Sequence, residues 1–244
     1  MDEESYSSWC YVNSRFKKIK FIPEKEIEEI AYDYKLWGRT FPKQKGVDFE
    51  KLKLTNIGQY SIAKLNVTRD LYDTIPKIYN LLNVKKKNTK DLIITESNGG
   101  MGGVTIALAS LFKKINVVEI IPKHAEIIKY NIGQYGLSKK VNVITADYMD
   151  VMADIKQDII ISDPPWGGKD YNRHKLLKLH LNNVDITCII NKLYEKNLFN
   201  LYVLVVPYNF DIKHFMISIK VRSIFIKKYK SLYIIFILND NEFN

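Results

Sequence analysis

Short apolar runs follow one another along the chain after residue 90, with longer amphipathic segments between the first of them. Apolar runs of this length are typical of buried strands, and the amphipathic segments have the length of helices. The predicted strands are Leu92–Thr95, Asn116–Ile120, Val141–Thr145, Asp158–Ser162 and Leu201–Val206. The predicted helices are Thr105–Lys114 and Lys123–Tyr135. Ser223–Lys230 and Ser231–Leu238 follow with little between them and predict an antiparallel hairpin.

This order of elements predicts an α/β fold with a doubly wound, mainly parallel sheet and an antiparallel hairpin at its carboxyl end. Ligands of such sheets bind beyond the carboxyl ends of the parallel strands. The residues that directly follow each predicted strand are therefore the first candidates for a binding site.

The chain before residue 84 has a different pattern. Glu24–Trp37 carries apolar residues at helical spacing, and so does Val67–Leu82, where Pro76 should kink or interrupt the helix. A basic, polar segment, Val84–Lys90, separates this region from the strands. We therefore predict a helical amino-terminal extension over residues 1–83 and a second domain over residues 84–244.

Composition narrows the class of protein. A hydrophobic content of 46% with 26% charged residues is typical of soluble globular proteins, and 2 cysteines exclude a disulfide framework. A formal net charge of +10 suits a nucleic-acid partner. The acidic start and the lack of a long apolar run predict an intracellular protein, in the nucleus or cytoplasm, without a membrane partner. The 4 histidines lack metal-ligand spacing, so we expect no metal, and we expect a monomer.

A glycine-rich segment, Glu96–Gly103, directly follows the first predicted strand. Gly100 and Gly102 would let the backbone turn sharply and approach a nucleotide-like ligand. The segment lacks the Gly-Lys-Ser/Thr of a P-loop, which argues against that kind of phosphate site. A dinucleotide, a nucleotide phosphate and S-adenosylmethionine remain as candidate ligands.

Acidic residues at successive strand ends favour S-adenosylmethionine. Glu96 would repel a pyrophosphate but attract a sulfonium cation. Glu119 ends the second predicted strand, where such folds place the carboxylate that binds a ribose diol. Asp147 follows the third predicted strand and could accept from the adenine amino group. The alternative is that these acids cap helices.

Asp163-Pro164-Pro165-Trp166 follows the fourth predicted strand. Two prolines fix an extended backbone whose carbonyls have no competing N–H donors. The Asp163 carboxylate and the Pro164 carbonyl could accept both N–H groups of an exocyclic amine and direct its lone pair toward a methyl donor, so that Asp163 also contacts the cofactor. Trp166 could stack on the base, with a cation–π contribution if the base is charged. The alternative is an ordinary turn.

The segment Asp163–Tyr171 closely resembles the Ser-Pro-Pro-Trp-Gly-Gly-x-Asp-Tyr signature of trimethylguanosine synthases, the RNA cap guanine-N2 methyltransferases. The resemblance extends from about Tyr34 to Asn209. Further similar segments are Gly100–Ile106 to the family's Gly-x-Gly-Gly-Asn-Thr-Ile, Ala146–Tyr148 to its Gly-Asp-Phe, and Gly58–Ser61 to its Gly-Trp-Phe-Ser.

This resemblance implies a Rossmann-like class I methyltransferase that transfers methyl from S-adenosylmethionine to guanine N2 of a 7-methylguanosine RNA cap. It also implies that Lys53 and Tyr171 contact the cap triphosphate and that Asn209 lies near the pocket. The extension would help to cover the cap and cofactor sites. Trp37, next to Arg39, is a further candidate for contact with RNA or the cap.

Some residues depart from the family's pattern. Asp163 replaces Ser, Glu96 replaces Asp, Val104 replaces the loop Asn, and Tyr208 replaces an Arg that would contact phosphate. Two alternatives therefore stay open. One is an amino-methyltransferase that acts on adenine N6 or an internal guanine N2 of a nucleic acid. The other is a cap- or RNA-binding protein without catalysis.

Overall fold

The computed structural model of the chain describes residues 26–81, 88–168 and 171–240. The described residues form two compact units, an amino-terminal unit within Ile22–Ile161 and a carboxy-terminal unit within Ser162–Asn244. Among these residues, no helix combines the length and the apolarity that crossing a membrane requires. Nor do they contain a group of three or more His, Cys, Asp or Glu side chains placed to hold a metal ion.

The predicted α/β sheet is confirmed. The strands are β1 Ile93–Glu96, β2 Lys114–Glu119, β3 Val141–Thr145, β4 Ile159–Ser162, β5 His180–Leu181, β6 Val184–Asp185, β7 Leu201–Pro207, β8 Ile224–Tyr229 and β9 Leu232–Leu238. Seven of them form one sheet in the order β3-β2-β1-β4-β7-β9-β8, and β5 and β6 form a separate pair.

Parallel pairing in the amino-terminal unit aligns the carboxyl ends of its strands. Glu96 at the end of β1 is in register with Val117 of β2 and with Ile161 of β4. Glu119 at the end of β2 is in register with Thr145, the last residue of β3. The residues that follow these strands therefore lie along one edge of the sheet, as the sequence predicted.

The helices of the amino-terminal unit are α1 Tyr34–Thr40, α2 Gly58–Ser61, α3 Leu65–Leu81, α4 Gly103–Leu108, α5 Pro122–Gln134 and α6 Tyr148–Val151. The helix predicted over Val67–Leu82 is present as α3, which continues through Pro76 without a break. Leu82 lies outside the described residues, as do residues 84–87 of the predicted linker. The helix predicted over Thr105–Lys114 is shorter than expected, because α4 ends at Leu108 and Lys114 already begins β2.

The helix predicted over Glu24–Trp37 is wrong for most of its described length. Glu29 forms an antiparallel bridge with Thr55, and the Ile30 N–H donates to the Leu54 carbonyl at 3.0 Å. The backbone is therefore extended until Asp33, whose side chain caps α1 by accepting from the Leu36 N–H. Glu24 and Lys25 lie outside the described residues.

The carboxy-terminal unit contains α7 Ile186–Glu195, α8 Ile212–Ser218 and the strands from β5 onward. Every residue of β7 is buried. The hairpin predicted at the carboxyl end is confirmed, since β8 and β9 pair in antiparallel register from Ile224↔Ile237 to Tyr229↔Leu232. Lys230 has a φ of 53° in the tight turn between them.

Candidate functional site

The glycine-rich loop after β1 folds back on the end of β2. Gly99 donates its N–H to the Val118 carbonyl at 2.8 Å, and a Cβ at this position would lie 2.5 Å from Cγ1 of Val117. Gly102 has a φ of 81°, in the left-handed region that favours glycine. Gly100 also has a positive φ, of 53°, but a Cβ there would meet no protein atom within 4 Å. The loop thus packs tightly at Gly99 and leaves open space at Gly100.

Glu96 binds the first turn of α4. Its carboxylate is buried, with 6% exposure of the residue, and Oε2 accepts hydrogen bonds from the Thr105 backbone N–H at 3.1 Å and from the Thr105 hydroxyl. A negative charge near a helix amino terminus is stabilised by the backbone dipoles. One function of Glu96 is therefore to cap α4, as the alternative interpretation of the acids expected.

Glu119 connects the end of β2 to the glycine-rich loop. Oε2 accepts from the Gly100 N–H at 2.7 Å, and Oε1 accepts from the Ile121 N–H at 2.9 Å. Burial raises the pKa of the Glu119 carboxyl above its ordinary value, although backbone N–H groups oppose the rise. Each oxygen of a carboxylate can accept two hydrogen bonds, so Glu119 keeps the capacity to accept ligand hydroxyls.

His124 is a buried polar residue beside Glu119 whose contacts the sequence analysis did not predict. Its Nε2 lies 3.2 Å from the Thr55 hydroxyl oxygen, and its Nδ1 lies 3.9 Å from Oε1 of Glu119. The same Thr55 oxygen accepts from the Gly58 N–H at 2.8 Å. Burial lowers the pKa of His124 to about 4, so the imidazole is neutral at pH 7. The signal in the sequence is its position in the first turn of α5, directly after Glu119 and Pro122.

Asp147 follows β3 and caps α6 through Oδ1, which accepts from the Met149 N–H at 2.9 Å. Its other oxygen has no hydrogen-bond partner among the described residues, and the residue is partly exposed. Asp147 therefore offers a free acceptor at the same edge of the sheet as Glu119. Two carboxylates with spare acceptor capacity and open space at Gly100 fit the ribose hydroxyls, the adenine amine and the bulk of S-adenosylmethionine.

In the carboxy-terminal unit, Asp163-Pro164-Pro165-Trp166 leaves the end of β4, and we call this segment the proline corner. Burial raises the pKa of the Asp163 carboxyl to about 7, and the neighbouring Trp166 indole opposes the rise. Pro164 is buried, whereas Pro165 is exposed. The ionised form of this carboxyl can accept hydrogen bonds from an amine.

Trp166 and Tyr171 form an edge-to-face pair, with ring centroids 5.0 Å apart and an interplanar angle of 71°. The Trp166 Nε1 atom is buried and has no hydrogen-bond partner of normal geometry in the described part of the chain. Gly167 and Gly168, with φ of 94° and 84°, turn the backbone between the two rings. Lys169 and Asp170 of the resembling signature lie outside the described residues.

Asn209 holds the segment that carries Tyr171. Its Nδ2 donates to the carbonyls of Tyr171 at 2.9 Å and His174 at 2.8 Å, and the residue is 6% exposed. Its Oδ1 is buried without a hydrogen-bond partner among the described residues. Tyr208, which precedes it, is 50% exposed. Asn209 thus fixes the backbone of Tyr171 and His174.

Lys53 and Trp37 are engaged within the amino-terminal unit. The Lys53 ammonium lies 3.0 Å from Oε2 of Glu29 and 4.7 Å from the centroid of the Tyr130 ring. Trp37 is 1% exposed and donates its indole N–H to the Leu52 carbonyl at 2.9 Å. Its faces are therefore covered by protein, and stacking of Trp37 on a base has no support in this arrangement.

The fold defines the class of protein. A structure described as human methyltransferase 10 domain containing protein matches with a TM-score of 0.53 and 11% identity, over 74% of this chain and 84% of that chain. The delta-N METTL16 MTase domain matches with a TM-score of 0.53 and 10% identity, over 72% and 84% of the respective chains. The fold is that of the class I methyltransferases.

The family follows from a match over most of the chain. Residues 91–242 match the family model of the RNA cap guanine-N2 methyltransferases, and this chain belongs to that family. A curated relative, uncharacterized protein L320 of Acanthamoeba polyphaga mimivirus, is 32% identical over 134 residues, which cover 54% of this chain and 52% of the relative. The chain thus spans about half the length of that relative. The chain thus belongs to this family and has the fold of the class I methyltransferases.

Proposed function

We propose that this protein transfers a methyl group from S-adenosylmethionine to the exocyclic N2 of a 7-methylguanosine RNA cap. The observation that carries the proposal is the proline corner, where a carboxyl of raised pKa, Asp163, lies beside the Trp166–Tyr171 aromatic pair. The family supports the same substrate.

The donor would be held at the strand ends of the amino-terminal unit. In this proposal Glu119 accepts from the ribose hydroxyls, Asp147 accepts from the adenine amine through its free oxygen, and the open face of Gly100 leaves room for the cofactor. Gly102 fixes the turn of the loop, and Glu96 keeps α4 in place while its charge favours the sulfonium. When bound, the cofactor supplies an electrophilic methyl group.

The acceptor amine would be bound at the proline corner. The Asp163 carboxylate and the Pro164 carbonyl accept its two N–H groups, which counteracts delocalisation of the nitrogen lone pair into the ring. Catalysis is then positioning and charge placement, without a covalent enzyme intermediate. Trp166 stacks on the purine, and the positive charge of 7-methylguanine adds a cation–π attraction.

The remaining residues of the proposal act on the phosphates or on the walls of the site. Tyr171 contacts the triphosphate with Lys53, whose ion pair with Glu29 is about one-third exposed. Such pairs contribute only ~0–1 kcal/mol, so Lys53 can exchange its partner for a phosphate. Asn209 positions Tyr171. The extension over residues 1–83 contributes through the Gly58–Thr55–His124 hydrogen bonds that end beside Glu119.

Methyl transfer to defined RNAs tests the proposal. The purified protein is incubated with S-adenosylmethionine and one short RNA at a time, bearing a 7-methylated cap, an unmethylated cap or a 5′ monophosphate. Mass spectrometry of the digested nucleosides locates the new methyl group. We expect product on N2 of the 7-methylated cap, with Asp163→Asn as the inactive control and Asp73→Asn, the same change at an exposed residue of α3, as the active one.

A second candidate function has one observation in its favour, since Asp163 replaces the Ser of the family and carboxylates also suit adenine amines. Methyl groups on adenine N6 or on an internal guanine in all three RNAs would establish that function instead. Cap binding by the protein, without donor binding or product, would establish a binding protein.

A further inference from the structure

A second surface of the amino-terminal unit has the composition of a nucleic-acid site. Between Asp33 and Asp48 the chain holds four basic residues and no acidic one. Three of these, Lys35, Arg39 and Lys43, line an open groove along α1 together with Tyr34 and Gly38. We call this feature the α1 groove.

Among the described residues, no carboxylate forms an ion pair with the cations of the α1 groove. In the same unit, Lys53 and Lys123 both pair with Glu29, at 3.0 and 3.5 Å. By contrast, Lys35, Arg39 and Lys43 form no ion pair with any described residue. Three uncompensated positive charges around one groove repel each other, and this cost is relieved when an anion binds between them.

Two further contacts shape the groove. The Arg39 Nε donates to the Lys35 carbonyl at 3.1 Å, which holds the side chain along the helix and leaves its two terminal nitrogens without a described partner. Arginine in this state can bind a phosphate with both nitrogens. Gly38 lies between Lys35 and Arg39 in the sequence, and a Cβ at this position would meet no atom within 4 Å, so the groove is open at its centre.

An aromatic ring lies among these charges. Tyr34 is 70% exposed, and the Lys43 ammonium lies 5.9 Å from the centroid of its ring. Sites for single-stranded nucleic acids combine cations that follow the phosphates with exposed aromatic rings that stack on bases. A protein partner with acidic side chains would use the cations but would gain little from this ring.

We propose that the α1 groove binds single-stranded RNA downstream of the cap, with phosphates on Lys35, Arg39 and Lys43 and a base stacked on Tyr34. This inference rests on the proposed function, because it takes capped RNA as the substrate. It adds a second contact region, so the protein would prefer a capped oligonucleotide to a cap dinucleotide.

The test compares two substrates, a 7-methylated cap dinucleotide and a capped RNA of ten nucleotides. The variant carries Lys35→Glu, Arg39→Glu and Lys43→Glu. The control variant carries Lys129→Glu, Lys196→Glu and Lys213→Glu, the same charge change at exposed lysines elsewhere. We expect the groove variant to raise KM for the long RNA at least ~10-fold, with KM for the dinucleotide unchanged and the control close to wild type.

Salt dependence and Tyr34 give independent measurements. Loss of three phosphate contacts should reduce the slope of log KM against log salt by about 2 for the long RNA. Tyr34→Ala, which alters no charge, should raise KM for the long RNA about 5-fold, whereas Tyr34→Phe should not. Equal effects of the groove and control variants, or an unchanged salt slope, would overturn the inference. If the wild type methylates neither capped substrate, the proposed function fails. The groove can then still be tested by comparing the affinity of the wild type and of the groove variant for uncapped RNA, which should be weaker in the variant.

Discussion

His124 and Thr55 are joined inside the amino-terminal unit, with the imidazole Nε2 3.2 Å from the threonine hydroxyl oxygen. The same oxygen accepts from the Gly58 N–H at 2.8 Å and lies 3.9 Å from Sδ of Met101. The other ring nitrogen, Nδ1, faces Glu119. The neutral imidazole thus connects the segment before α2 with the carboxylate at the end of β2.

The first prediction concerns stability at low pH. The pKa of His124 is about 4 in the folded protein, whereas the ordinary histidine pKa of 6.5 applies to the unfolded chain. Between these two values the unfolded chain binds the additional proton, so the free energy of unfolding decreases as the pH falls from 6.5 to 4. The full effect is about 3 kcal/mol. Urea denaturation across this pH range should show the decrease in the free energy of unfolding in the wild type. The decrease should be absent from His124→Gln, whose side chain can still form a hydrogen bond with Thr55.

Glu119 contributes with the opposite sign, because its raised pKa stabilises the folded state as the pH falls. Comparing wild type with His124→Gln cancels this contribution. His174→Gln, at an exposed histidine, is the matched control and should follow the wild type. Parallel pH dependence of wild type and His124→Gln would contradict the prediction.

The second prediction concerns activity and pH. If the ionised Asp163 accepts the amine protons, kcat/KM should fall about tenfold per pH unit below about pH 7, where the pKa of this carboxyl lies. Asp163→Ser restores the residue of the resembling signature and should lack this acidic limb. Asp163→Asn should lose about 100-fold in kcat, since its amide oxygen is a weaker acceptor than a carboxylate and its NH2 group opposes the amine protons. If kcat/KM of Asp163→Ser fell below pH 7 in the same way as that of the wild type, another group would be responsible for the pH dependence.

The strands could be predicted from the sequence because each is a buried apolar run whose length fits a strand and excludes a helix. Val141–Thr145 was predicted with its exact bounds, whereas the strand predicted over Asn116–Ile120 is Lys114–Glu119 in the structure, so that Glu119 is its last residue. Helix ends were predicted less well. The first turn of α4 depends on Glu96, nine residues earlier, and five residues separate its end at Leu108 from the start of β2 at Lys114.

The amino-terminal extension shows where local pattern is insufficient. Helical spacing over Ile27, Ile30 and Tyr34 predicted a helix, but Ile27 is buried while Tyr34 is 70% exposed. The extended backbone there is stabilised by pairing with residues 54–56, a contact about 25 residues away that periodicity does not encode. The engagement of Lys53 with Glu29 is non-local in the same sense.

The third prediction concerns the stacking residue. Trp166→Ala should raise KM for the 7-methylated cap about 5- to 30-fold, the equivalent of 1–2 kcal/mol, and should affect an unmethylated cap less because that purine is uncharged. Trp166→Phe should fall between wild type and Ala. Phe225→Ala removes an exposed aromatic ring of β8 and serves as the control. Equal loss for both caps would argue against a cation–π contribution.

The fourth prediction separates positioning from stability. Asn209→Ala removes the side-chain donor to the carbonyls of Tyr171 and His174, of which the Tyr171 carbonyl keeps only the His174 N–H at 3.3 Å, and should cost about 1–3 kcal/mol in urea denaturation. Asn191→Ala is a matched control, since Asn191 also bonds backbone groups, donating to Ser218 and accepting from the Lys220 N–H. Both variants should be destabilised, but only Asn209→Ala should raise KM for the cap. The same KM in both variants would show that Asn209 has a structural function alone.

The fifth prediction concerns the open space at Gly100. Alanine there would contact no protein atom, but it would project a methyl group into the proposed cofactor site and occupy a φ of 53°. Gly136→Ala imposes the same kind of strain, at a φ of 67° with nothing within 4 Å, in the turn between α5 and β3. Both variants should lose about 1–2 kcal/mol of stability. Calorimetric titration with S-adenosylmethionine should show at least about tenfold weaker binding for Gly100→Ala and wild-type affinity for Gly136→Ala. Equal affinities would mean that the cofactor does not lie against Gly100.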